Sequence, residues 1–293
     1  MRFYQILLVI CLLTVVGVCG SGQEGREVYF FAGDPEGDDN GPGNYIYPRD
    51  PAFAPYEGLF DLLAFEVWSD HGENVYFDVK IKNVTNPWAA PEGFIHPVIH
   101  IYIVTGRGEY TEPVNEGPRV SFSPQYPWEF CLTGIGWENS AVYHPAVTGG
   151  RQETPINAVY LPEENLIRLT VSQTIIGTPG KNWRYYVLIG SYDGFGPGFF
   201  REIIKEPDDW FFGGGGEGEP RVIDLLAPER GKYAQENQMC LSEEGTPACL
   251  YPVGPERKVV WWIWFLPLLG VALYLVLRRR PVFSFFWYKE KKN

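Results

Sequence analysis

The stretch VYFDVKIK, residues 75–82, alternates between apolar side chains and side chains that tolerate water. Val75, Phe77, Val79 and Ile81 fall on one face of an extended chain, because successive side chains of a strand point to opposite sides. This period of two predicts a half-buried β-strand that turns the apolar face toward a core.

Four further runs repeat the pattern, and turns rich in glycine and proline separate them. They are Leu63–Val67, Ile99–Ile103, Ile167–Val171 and Tyr185–Ile189. Short alternating strands with turn residues between them are typical of antiparallel sandwiches and barrels. We therefore predict an all-β domain from residue 26 to residue 228, built as an antiparallel β-sandwich.

An apolar segment near the N-terminus predicts export of this domain. Arg2 precedes an apolar run from Ile6 to Val18, which is short for a membrane span, and small and polar residues follow it. This order is typical of a cleavable secretory signal. We assign residues 1–20 to the signal peptide, with an uncleaved anchor as the alternative.

A second apolar segment, residues 259–277, contains no charged residue. At about 1.5 Å per residue, a helix of this length covers about 28 Å, close to the hydrocarbon thickness of a bilayer. Three arginines open the basic tail at residues 278–293, and basic residues stay on the cytoplasmic side. The sequence predicts a single-pass cell-membrane protein with its domain outside, a stalk at residues 229–258 and a cytoplasmic C-terminus.

The formal net charge is −12, and the acidic excess lies in the predicted extracellular part because the tail is basic. An acidic surface repels nucleic acid, so we expect no nucleic-acid partner. Such a surface suits divalent cations, neutral sugars, or solubility alone.

Three of the five cysteines follow the predicted signal peptide. Cys240 and Cys249 flank a turn-prone stretch in a compartment where disulfides form, and we predict a bridge between them. Cys131 has apolar neighbours and is expected to be a buried free thiol. Asn83 opens an Asn-Val-Thr sequon, which predicts glycosylation there.

Several long motifs follow one another along the predicted domain. They are DPEGDDNGPGNYIYP at residues 34–48, GLFDL at 58–62, NPW at 86–88 with PEGF at 91–94, WRYYVLIGSYDGFG at 183–196, and WFFGGGGEGEPRVIDLLAP at 210–228. With these motifs the chain resembles the glucodextranase C-terminal domain family, a branch of the DOMON-like β-sandwiches. The resemblance extends from about residue 27 to residue 238, with a departure at His96, where a glutamine is expected.

The resemblance implies a β-sandwich that is appended to secreted starch- and dextran-degrading enzymes or stands alone before a membrane anchor. It implies attachment to polysaccharide or to a cell-envelope glycan. Association with surface enzymes that degrade glycans is a further expectation of the same kind.

The first motif is a tight loop with several carboxylates, which we call the acidic loop (residues 34–48). Its acidic residues and a later aspartate could together surround a hard cation such as calcium. The predicted ligands are Asp34, Glu36, Asp38, Asp39 and Asp61. The alternative is that these carboxylates cap turns by accepting backbone N–H groups.

Six tryptophans lie in the predicted domain, and most are expected in its core. Trp88, between proline and alanine in a loop, is the best candidate for an exposed ring that stacks on a sugar. Asp193, in the fourth motif, is the second candidate ligand-binding residue.

The motifs of zinc proteases, serine hydrolases and phosphate-binding loops are absent from the sequence, so we predict no enzyme activity. One alternative is a haem-binding, DOMON-like electron-transfer protein, since His96 and His100 share parity on a predicted strand and Met239 follows later. Another is a structural envelope protein that binds other proteins.

Overall fold

The computed structural model describes residues 25–255, except residues 71, 138, 217 and 241–245. The predicted signal peptide, membrane span and cytoplasmic tail lie outside these residues. Among the described residues, no helix combines the length and apolar character needed to cross a bilayer.

The regular secondary structure of the described residues is mostly β-strand, and most of the strands form two large antiparallel sheets. The first sheet has the order β1-β2-β3-β10-β9 and the second the order β12-β11-β4-β6-β7-β8. The strands are β1 Glu27–Gly33, β2 Leu62–Ser69, β3 Asn74–Ile81, β4 Pro97–Val104, β5 Val120–Phe122, β6 Phe130–Gly134, β7 Ala141–Pro145, β8 Arg151–Pro155, β9 Asn157–Leu161, β10 Leu166–Ser172, β11 Arg184–Ser191, β12 Val222–Leu225 and β13 Ala248–Leu250. The helical elements are short: α1 Gln173–Ile176, a 3-10 turn Pro197–Phe199, and α2 Gln235–Met239.

The opening stretch forms β3, at the centre of the first sheet. Phe77 pairs with Val67 of β2 on one side and with Leu169 of β10 on the other. The alternating residues of β3 are buried, as the pattern predicted. The four other predicted runs also form strands, namely β2, β4, β10 and β11.

The two sheets face each other across one apolar core, so the fold is a sandwich. Buried side chains of both sheets belong to the same cluster, and the rings of Phe65 and Tyr185 meet across it with centroids 5.3 Å apart. The predicted antiparallel sandwich is therefore consistent with the structure.

Strand β4 is buried along its whole length, because both faces of the second sheet are covered. Ile99, Ile101 and Ile103 enter the core between the sheets. Tyr102 and Val104 point the other way, into a second cluster with residues of β5, α2 and β13. A third layer of chain thus covers the outer face of this sheet.

The segment 229–255 belongs to this third layer, which corrects the expectation of an irregular stalk. Strand β13 pairs in parallel with β5, and Met239 and Leu250 are fully buried in the second cluster. The compact unit accordingly extends to Pro255. The segment packs because a few well-placed apolar side chains complete a core that the sandwich leaves open on one side.

Candidate functional site

Two exposed indole rings lie side by side at one end of the sandwich. Trp88 is 42% exposed and Trp210 is 40% exposed, and their ring centroids are 6.1 Å apart. Beneath them, His96 lies 5.4 Å from Trp88, and Phe53 lies 6.0 Å from Trp210. We call these four residues the aromatic patch.

Hydrogen bonds within two loops fix the backbone next to both tryptophans. The side chain of Asn86 bonds both the N–H and the carbonyl of Ala90, at 2.8 Å each, and so closes the turn that carries Trp88. Ala89 has a φ of 54°, a left-handed conformation that tends to occur at functional sites. On the other loop, Asp208 accepts the backbone N–H of Trp210 at 2.8 Å.

A partly buried arginine, Arg201, joins the aromatic patch to Asp193. The guanidinium of Arg201 lies 5.6 Å from the ring centre of Phe53, and its Nη1 lies 4.0 Å from Oδ2 of Asp193. Its Nε donates to Ser191 Oγ at 3.2 Å and Nη2 donates to the carbonyl of Tyr192. Burial lowers the pKa of Arg201 from its ordinary value. The two predicted ligand-binding residues, Trp88 and Asp193, therefore belong to one region.

The imidazole of His96 is buried without a partner for one nitrogen. The residue is 2% exposed, and no hydrogen bond within the described residues satisfies its Nε2. Burial, and secondarily the nearby charge of Arg201, lower the pKa of His96 to about 4, so the ring is neutral at physiological pH. A buried polar atom without a partner is uncommon in a folded protein and calls for an explanation.

The five predicted calcium ligands separate into different environments. Glu36 is an exposed partner of Lys82 at 3.2 Å. Asp61 is buried, accepts the N–H of Gly37 at 2.9 Å and lies 3.7 Å from the ammonium of Lys82. Asp39 accepts the hydroxyl proton of Tyr47.

Asp34 and Asp38 instead meet Asp224, a residue of β12 that the sequence analysis did not nominate. Each of the three offers a carboxylate oxygen, and these oxygens lie within 4.8 Å of one another. We call them the acidic triad. Asp34 Oδ2 and Asp38 Oδ1 are buried and lack hydrogen-bond partners among the described residues. Carboxylate oxygens at this spacing are the donor set that a hard divalent cation prefers.

Burial is the main cause of the raised pKa values of the triad. It raises the pKa of Asp34 to about 9 and that of Asp38 to about 6, and neighbouring carboxylates add to both effects. The pKa of Asp224 is also raised well above its ordinary value, first by burial and then by Asp34. Its carboxylate accepts the N–H groups of Leu62 at 2.7 Å and Leu225 at 2.6 Å. The triad can thus hold protons or a cation, but not three uncompensated charges.

A family model described as the C-terminal binding-module, SLH-like, of glucodextranase matches residues 30–252. The chain belongs to this family. The resemblance noted in the motifs is therefore confirmed, and the match includes nearly all of the segment 229–255. A search of the curated proteins gave no match. The described domain accordingly belongs to a family of binding modules, which is compatible with a non-catalytic role.

The predictions for the cysteines and for the glycosylation site of the binding module have different outcomes. Cys131 is a buried free thiol, as predicted. Cys240 and Cys249 are exposed free thiols, and Cys240 Sγ lies 2.9 Å from the carbonyl of Glu236, so the structure does not show the predicted bridge. Cys240 directly follows α2 and Cys249 lies in β13, and the bridge between them stays a prediction. Asn83 is half-buried, and its glycosylation also stays a prediction.

The haem alternative depended on His96 and His100, which have different surroundings in the binding module. His96 packs against Trp88 and Phe53, whereas the ring of His100 lies 4.9 Å from that of Phe200. Nδ1 of His100 lies 3.0 Å from the Tyr102 hydroxyl. Nothing in these contacts favours an axial-ligand role.

Sequence reasoning missed several residues of both sites, although signals for two of them exist. Trp210 follows two aspartates and precedes a glycine run, a loop context much like that of Trp88. Asp224 is a lone carboxylate in the apolar run Val222–Leu226, which is unusual enough to suggest a special role. Phe53 and Arg201 carry no comparable signal, because only the tertiary fold brings them to Trp88.

Proposed function

We propose that this chain is a non-catalytic cell-surface protein whose binding module holds a polysaccharide or cell-envelope glycan on the aromatic patch. The observation that carries the proposal is the pair of exposed, neighbouring indole rings of Trp88 and Trp210. The apolar faces of sugar rings stack on such surfaces, and nearby polar groups bond hydroxyls. The family's description as a binding module of a glucan-degrading enzyme supports this ligand class.

Isothermal titration of the purified full-length protein with α-glucan oligosaccharides and with cell-envelope polysaccharide tests the proposal. Trp88→Ala and Trp210→Ala should each weaken binding by at least about tenfold, the equivalent of roughly 1.4 kcal/mol. Trp137→Ala is the matched control, because Trp137 is 44% exposed but lies outside the aromatic patch. Equal loss in all three variants, or binding only to envelope proteins, would favour the structural alternative.

We further propose the location that the apolar segments suggest. Residues 1–20 direct export, residues 259–277 anchor the chain, and residues 278–293 are cytoplasmic. Association with surface enzymes that degrade glycans is part of the same proposal. Protease added to intact cells should remove the binding module and spare the tail. If antibodies to the tail label unpermeabilised cells, the orientation is the opposite of the one proposed.

A further inference from the structure

We infer that His96 forms a hydrogen bond with a hydroxyl of a neutral saccharide, and that Trp88 and Trp210 move apart to admit it. This inference rests on the proposed function and assigns a specificity-determining residue to the same site. It concerns a position at which this chain departs from the glutamine that its family resemblance leads us to expect.

The imidazole of His96 occupies a fixed position in the aromatic patch. His96 immediately precedes β4, and its carbonyl accepts the N–H of Tyr192 at 2.8 Å, so its backbone is fixed between two strands. Its ring centroid lies 4.8 Å from that of Phe53 and 5.4 Å from that of Trp88. The imidazole therefore forms the floor of the aromatic patch, directly under an exposed indole.

One nitrogen of the His96 imidazole is left for a ligand to bond. Nε2 of His96 is shielded from solvent and has no hydrogen-bond partner among the described residues. Leaving a buried polar atom unsatisfied costs roughly 1–3 kcal/mol. A ligand that supplies a partner would recover much of this free energy, and this recovery would make the nitrogen a determinant of affinity.

The charge state of the site indicates the chemical class of the ligand. The imidazole is neutral, and a hydroxyl can either donate to or accept from a neutral ring, whichever tautomer is present. The charge of Arg201 is partly compensated, because two of its nitrogens donate to Ser191 and Tyr192 and the third lies 4.0 Å from Asp193. The site thus suits neutral sugars rather than uronic acids.

A ligand can reach His96 only if the indoles of the aromatic patch move. Trp88 contacts His96, and Trp210 contacts Phe53 and Trp88; both indoles are carried on loops outside the strands and are about two-fifths exposed. Their described ring contacts are with each other, His96 and Phe53. Stacking on a sugar can replace the contact between the two indoles. Separating them therefore costs little free energy when a ligand occupies the space between them.

Calorimetry of the full-length protein with maltoheptaose and isomaltoheptaose tests the inference, and oligogalacturonate is the acidic probe. His96→Phe keeps an aromatic ring but removes the nitrogens, and it should weaken binding of the neutral probes by about fivefold or more. His96→Gln should retain most of the affinity, and oligogalacturonate should not bind. The melting temperature of the His96→Phe variant should be at least as high as that of the parent, which shows that the variant folds.

A second measurement does not depend on a variant folding. In the unaltered protein, the imidazole ¹⁵N resonance of His96 Nε2 should shift when maltoheptaose is added, as expected for a new hydrogen bond. Unchanged binding by His96→Phe, an unchanged resonance, or preference for oligogalacturonate overturns the inference. If Trp88→Ala still weakens binding by about tenfold or more in those cases, the proposed function stands. No binding of any saccharide by the parent overturns both.

Discussion

At the residue scale, the acidic loop shows how one neighbouring group determines the state of a carboxylate. Glu36 has Lys82 and Asp39 has the Tyr47 hydroxyl, whereas Asp34 and Asp38 face Asp224 with unpaired oxygens. The sequence predicted that carboxylates crowd in this loop. It could not predict which of them converge, because Asp224 is distant in the chain and reaches the loop only through β12.

Calcium should stabilise the protein through the triad. Adding calcium should raise the melting temperature and chelator should lower it, because a ligand bound only by the folded state stabilises it, by about 2.7 kcal/mol at a hundredfold excess over Kd. Asp38→Asn and Asp224→Asn should remove the response, as measured by differential scanning calorimetry. Asp39→Asn is the control and should keep it, since Asp39 is bonded to Tyr47.

The same experiment has a clear negative outcome. Melting curves that are identical in calcium and in chelator, with metal analysis showing no retained ion, would mean that protons and backbone N–H groups compensate the triad without a cation. The turn-capping alternative makes that forecast. It agrees with the contacts of Asp61 to the Gly37 N–H and of Asp34 to the Ala227 N–H at 2.8 Å.

At the element scale, the strands followed from the sequence and the third layer did not. Alternation identified β2, β3, β4, β10 and β11, because each presents an apolar face to one core. The segment 229–255 has no such period, and its contribution depends on isolated side chains. Gln235 is buried, accepts the N–H of Leu225 and donates to the carbonyls of Asp38 and Gly41. Contacts between separate parts of the chain leave no periodic signal.

This segment should contribute to global stability. Met239→Ala should lower the free energy of unfolding by about 2–4 kcal/mol, because it leaves a cavity in the second cluster. Asn237→Ala on the same helix, where the side chain is exposed, should change it by less than about 0.5 kcal/mol. Urea unfolding of both variants measures the difference. Equal, small effects would mean that the segment behaves as the stalk that the sequence suggested.

At the scale of the whole molecule, the sandwich places its two sites on different supports. The aromatic patch is carried by loops next to β4 and β11, whereas the triad joins the acidic loop to β12. Composition predicted an acidic, sugar- or cation-compatible surface. It did not predict that part of the acidity is buried, because burial of charge is a tertiary property that opposes the usual placement of aspartate.

The buried acids and histidines should make stability depend on pH in opposite directions. Asp34, Asp38 and Asp224 have raised pKa values in the folded state, so they bind protons that the unfolded chain has released above about pH 3.8. Their contribution is present below that pH and is lost as pH rises through about 6 toward about 9. His96 and His100 have pKa values lowered to about 4 and about 3 from 6.5, so stability falls as pH drops through that interval.

Above about pH 7.5, His96 and His100 are neutral in both states, and the raised pKa values of the triad and of the buried Cys131 thiol act in the same direction. In chelator, the free energy of unfolding should therefore decrease between about pH 7.5 and 9, by at most about 1.4 kcal/mol per pH unit for each proton that the folded chain keeps and the unfolded chain has released. Calcium should flatten this slope because it compensates the ionised triad, and Asp34→Asn should flatten it without calcium. Urea unfolding at several pH values measures the slope. A parent protein whose stability in chelator does not change over this range would show that the triad carries its charge without a proton or a cation, which its burial argues against.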